Sequence, residues 1–137
     1  MTATTFGWLC TLGVLAHNAE EALCLPSWSQ SAGHWNVAVG ANEFRFAVGI
    51  QSLTLLGIAS AASLTKAAGP ALYLWAGDAL AMGVNTFVPH LVASVATRSY
   101  MPGTASALCP NLPLGCMLIA RAPSSAFNSA YSCGRVP

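Results

Sequence analysis

A histidine and two glutamates fall within five residues, His17-Asn18-Ala19-Glu20-Glu21, in a run that is otherwise mostly apolar from Phe6 to Leu25. At about 100° per residue on an α-helix, Glu20 and Glu21 lie on either side of His17, so all three side chains project within an arc of roughly 100°. An imidazole and two carboxylates on one helix face are donor types of a divalent-metal site or a proton relay. His17 and Glu20, at i and i+3, are spaced to chelate one ion, with Glu21 as second ligand or general base and His90 arriving from another helix. The metal ligands of that reading are His17, Glu20, Glu21 and His90, and its catalytic candidates are Glu20, Glu21, His90 and Tyr100. A bound zinc would make water a nucleophile, and a bound iron would activate oxygen. Asn85 and Asp78 stand behind the ligands, while Tyr100 and Arg98 stabilise an oxyanion or hold a lipid phosphate.

Two other readings compete. Buried acids, histidines and a proline-broken helix also suit a proton- or ion-coupled transport component, although 137 residues with no internal repeat are few for alternating access unless the chain forms a homo-oligomer. A purely structural account has the polar groups pinning helices together through hydrogen bonds worth about 0.6–2 kcal/mol each. If the first helix ended at Pro26, Glu21 would lie only about 7 Å of helix rise from that stop, at headgroup depth.

Composition decides the solvent. Hydrophobic residues make up 55% of the chain and charged residues only 7%, against about 25% in soluble domains. Nine charged side chains cannot cover a water-facing surface, so the chain is expected to be an all-α integral membrane bundle of about four transmembrane helices with lipids as its partners. A net charge of +1 without a basic cluster excludes nucleic acid. The five cysteines form no CxxC pair, which excludes a zinc ribbon and gives no sign of a disulfide framework. Cys10 and Cys24 share the face of His17 but read more simply as small hydrophobes. No basic stretch precedes the first apolar run, so it reads as a retained span rather than a cleaved signal.

The spans that must position these groups are expected at about 4–25, 46–64, 71–95 and 104–120, giving a helical domain over 1–121 and a flexible tail over 122–137. Pro26 is expected to stop the first helix. Trp28 and Trp35 suit a membrane interface, His34 a solvated loop, and Glu43 with Arg45 a wet surface pair. Gly57 and Ala61 form a small-residue notch suited to close helix approach. In the third span Asp78 and Asn85 share a face, but His90 would point about 140° away from Asn85 on an ideal helix. Pro89, which cannot donate to the Asn85 carbonyl, must distort that turn. With four spans, most of these groups collect at one side of the membrane. Lys66, Arg121 and Arg135 against Arg45 and Arg98 put that side, by a weak bias, outside.

Taken with Asn85-Thr86-Phe87-Val88-Pro89-His90, Tyr100-Met101-Pro102-Gly103-Thr104-Ala105 and Asn111-Leu112-Pro113, the His17-to-Glu21 motif resembles the HXXEE family of small bacterial membrane proteins. The resemblance covers about residues 10 to 115. It implies a multi-pass location in the bacterial inner membrane and a shared site of His17, Glu20, Glu21, Asn85 and His90, and it supplies no reaction. The Pro- and Ser-rich ending after Ala120 departs from the fuller last helix that it would imply.

Overall fold

The computed structural model describes residues 2–33, 37–65 and 70–120. The expectations for His34, Trp35, Lys66, Arg121, Cys133, Arg135 and the tail over 122–137 lie outside these residues. Four helices make up the described chain: α1, Ala3–Ser31; α2, Ala41–Leu64; α3, Pro70–Thr97; and α4, Thr104–Ala120. No strand occurs among the described residues.

α1 begins where the Thr2 side chain accepts a hydrogen bond from the Thr5 amide, and it does not stop at Pro26. Proline leaves the Ala22 carbonyl without its helical donor, and Arg45 Nε, reaching across from α2, donates to that carbonyl at 3.0 Å. The helix therefore continues for another turn and more, and Arg45 is a helix clamp rather than the partner of Glu43. The Glu43 carboxylate instead folds back against Gly40 at the N-terminus of α2, where its charge suits the helix dipole.

Two of the helices are irregular. In α3 the regular turns end at Asn85, and a wide turn over Thr86–Leu91 follows, in which the Val92 amide reaches back five residues to the Phe87 carbonyl. Val88 is extended there, at φ −130° and ψ 114°, as steric crowding by the ring of Pro89 favours for the residue before a proline. α4 repeats the device around Pro110, where the Leu112 amide reaches the Ala107 carbonyl. The two wide turns meet where Thr86 Oγ1 donates to Met82 O at 2.9 Å and lies 3.4 Å from Ala107 O.

One core joins α1, α2, α3 and the end of α4 through Cys10, Val14, Leu55, Ala59, Trp75, Ala79, Met82 and Leu118. Trp75 fills its centre, lying edge-on to Trp8 and donating to Thr11 Oγ1 at 2.9 Å. Gly7 leaves room for that indole, since a Cβ there would enter the ring. Gly57 faces open space, and Ala61 is exposed, so the expected notch serves no contact within the described chain. The outward faces carry large apolar residues such as Leu12, Phe46, Leu53, Leu80 and Val95, while His17, Asn18, His90 and Asn111 are buried inside.

Two glycines separate packing from propensity. Gly7→Ala is expected to lower the unfolding free energy by about 1–3 kcal/mol through overpacking against Trp75. Gly57→Ala is expected to raise it by up to about 1 kcal/mol, because it touches nothing and improves the helix. Thermal unfolding in detergent reads both, and equal shifts would contradict this packing.

A carboxylate shared by two buried imidazoles

The site is built on one turn of α1. His17 and Glu21, at i and i+4, stand one above the other, and Glu21 Oε1 lies 3.5 Å from His17 Nε2. His90 arrives from α3 with its Nε2 3.2 Å from the same oxygen. The two rings meet edge-on, with centroids 4.8 Å apart and planes at 82°. One ligand atom from each of the three residues can be chosen so that all lie within 4.8 Å of one another. The wide turn of α3 brings His90 inward: the extended Val88 re-aims the chain, and His90 is fully buried instead of pointing away.

The connection between α3 and α4 closes the site. Gly103 sits at φ +94°, and its carbonyl accepts a hydrogen bond from His17 Nδ1 at 3.0 Å. A carbonyl can only accept, so Nδ1 carries the proton, and it is Nε2 that faces Glu21, as a lone pair whenever the ring is neutral. Asn85 Nδ2, 3.4 Å from that same Nε2, is a donor consistent with this tautomer. His90 Nε2 is close to Glu21 without hydrogen-bond alignment, and His90 Nδ1 meets no partner among the described residues. A Cβ on Gly103 would stand 2.6 Å from His90 Cε1 and 2.7 Å from His17 Cε1.

The two acids of the motif part company. Glu20 turns to the connection, where Tyr100 donates to its Oε1 at 2.5 Å and Ser106 to its Oε2 at 2.7 Å. Both of its oxygens are engaged, and the trio brings together the i, i+4 pair of His17 and Glu21 with His90, without Glu20. Tyr100 in turn accepts from the Ala105 amide at 3.1 Å. Partial burial and the bond to Glu20 raise its phenol above the ordinary tyrosine value and keep it a donor.

Asp78 and Asn85 line one cleft with His17, Asn18, Glu21, Gln51, Ala81 and Met82, with a volume of about 240 Å³. Arg98 is not part of the site. It takes the left-handed position that ends α3, at φ 50°, with its side chain exposed. Cys10 lies in the core and Cys24 at the surface, and neither joins the trio. Neither Ser106 nor the Gly103 carbonyl stands out by residue type or spacing, although a glycine closing Tyr-Met-Pro-Gly is a signal for the positive φ that aims that carbonyl.

A family model described as "Protein of unknown function with HXXEE motif" matches residues 8–118, which are most of the chain. The chain belongs to the HXXEE family. It is also 34% identical over 108 residues to a protein of Bacillus subtilis (strain 168) named "Uncharacterized protein YrkK", covering 77% of this chain and 67% of that one. No solved structure matches it significantly. In this HXXEE protein the motif letters divide: the histidine and second glutamate build the trio with His90, and the first glutamate ties α1 to the connection before α4.

Gly103→Ala tests how tightly that connection is set. The positive φ and the two imidazoles at its Cβ position predict a loss of about 1–3 kcal/mol in detergent unfolding. A variant as stable as the parent would show that the rings yield freely.

Proposed function

We propose that this HXXEE protein is a metal-dependent enzyme embedded in a membrane, in which His17, Glu21 and His90 hold one divalent ion, zinc or iron(II). The observation that carries this is the convergence of two imidazoles on one carboxylate oxygen at 3.2 and 3.5 Å, with His90 fully buried and out of hydrogen-bond alignment. Ligand bonds of about 2.0–2.1 Å in a tetrahedral site put neighbouring donors about 3.3 Å apart, close to the two distances from Glu21, while the trio as a whole lies within 4.8 Å. The His17 Nε2 lone pair and the Glu21 carboxylate are both acceptors, and a cation between them relieves that opposition. Nδ1 of His17, donating to a backbone carbonyl, is the outer bond that orients a metal-bound histidine.

Two histidines and one carboxylate leave coordination positions open, as in catalytic rather than structural sites. Bound there, the ion would supply a Lewis acid and an activated water. Around it, Glu20 with Tyr100 and Ser106 forms a hydrogen-bonded chain able to hold a proton beside the trio. Lipid as solvent is supported by α2 and α3, whose most apolar windows have mean hydropathies of 1.6 and 1.5 and are only 22% and 28% buried within the chain. A core helix of a water-soluble protein is buried over much more of its length. By rise alone α1 reaches about 44 Å and α4 about 25 Å, so a four-span arrangement in a hydrocarbon core of about 30 Å leaves α4 short and the bilayer thinned beside it.

A second reading, proton or ion passage, draws on the cleft that runs from His17 and Glu21 to Asp78 between α1, α2 and α3. The two readings separate experimentally. Elemental analysis of detergent-purified protein is expected to find about one zinc or iron per chain, falling at least roughly tenfold in His17→Ala, Glu21→Ala and His90→Ala and retained in Glu20→Gln. Metal-free wild-type protein that drives proton or ion flux in liposomes would replace the enzyme reading with the second.

A further inference from the structure

The cleft beside the trio has a chemistry of its own. Its wall holds His17, Asn18, Glu21, Gln51, Asp78 and Asn85, and no lysine or arginine among the described residues. Glu21 belongs to the trio, which leaves Asp78 as the cleft's free acid. Among the described residues no hydrogen-bond donor and no cation pairs with it. Asp78 is half-buried, and a carboxylate drawn out of water is costly without a partner.

The amides on the wall point the same way. Asn18 directs its NH2 group to Ser52 Oγ at 3.0 Å, and Asn85 directs its own toward His17. Each thus spends donors on the protein and keeps its carbonyl oxygen as an acceptor. An acid and unspent acceptors, with no lysine or arginine among the described lining residues, favour a ligand that brings positive charge and N–H donors. They repel a phosphate or a carboxylate. The volume of about 240 Å³ lies below the roughly 300–1,000 Å³ of pockets for drug-sized ligands, so the ligand is small.

We infer that this cleft is the substrate pocket of the proposed enzyme and takes a small molecule bearing a protonated amine, whose charge pairs with Asp78. Asp78 lies two turns, roughly 10 Å of helix rise, along α3 from Asn85, which touches His17. The amine is therefore the anchored end, and the group that reacts lies toward the trio. This last step rests on the metal-centre reading, while the pairing with Asp78 does not.

Titration calorimetry of the detergent-solubilised, metal-loaded protein with ethylammonium chloride, sodium acetate and potassium chloride tests it. Ethylammonium is expected to bind saturably, and acetate to bind only through the open positions of the metal, so that His90→Ala abolishes it. Asp78→Asn is expected to weaken ethylammonium roughly tenfold or more. Ala81→Leu, which fills the cleft without touching a charge, is expected to abolish binding even if Asp78→Asn proves unstable. His90 does not line the cleft, so His90→Ala is expected to lose the metal and keep ethylammonium. Acetate binding that survives His90→Ala, potassium binding in place of ethylammonium, or ethylammonium binding indifferent to both Asp78→Asn and Ala81→Leu would overturn the pocket assignment. Wild-type protein that binds ethylammonium but carries no metal would instead overturn the metal centre and leave the pairing with Asp78 standing.

Discussion

One oxygen of Glu21 stands between two imidazoles carried by different helices, and much of the irregularity in this fold serves to put it there. A straight α3 would carry His90 away from α1. The restriction that Pro89 places on Val88 breaks the regular turn, and the wide turn that follows returns the ring to the inside. Where that turn begins, the Thr86 hydroxyl donates to Met82 O and is within reach of Ala107 O of the similarly widened α4. Without a partnered carboxylate at its end, so irregular a path would bury His90 for nothing.

Polar groups are concentrated where apolar ones ordinarily are. His17, His90, Asn18 and Asn111 are nearly inaccessible, whereas Phe46, Leu53 and Leu80 face outward. Water would penalise both halves of that pattern, and lipid would reward the outer half while strengthening the pairing of the inner one. The Arg45 bond to the Ala22 carbonyl belongs to the same logic, since a proline in a long helix is tolerated where another side chain satisfies the group that it strands.

The legible parts of the sequence were the local ones. His17 and Glu21 share a face because helix geometry requires it, and the clash of Pro89 with its turn could be read directly. The direction of the resulting rotation could not, because it depends on what α1 and α4 offer His90 on arrival. Extending α1 past Pro26 needed a donor from Arg45, nineteen positions further along the chain and on another helix. Which glutamate would face the trio was likewise decided from outside, by Tyr100 and Ser106, which claim Glu20 from beyond α3.

Two adjacent glutamates with different fates explain why the motif needs both. Glu21 alone could pair with the imidazoles, but the connection whose Gly103 carbonyl sets the His17 tautomer would then lose the two bonds that Glu20 makes to it. Glu20, gripping Tyr100 and Ser106 on either side of Gly103, locks that carbonyl in place from the same turn of helix. One acid thus acts on the trio directly and the other through the backbone, and exchanging their partners would require rotating α1 by about 100°. The spacing of the motif is therefore set by two constraints at once, the i, i+4 contact within α1 and the contact one residue earlier with the chain that enters α4.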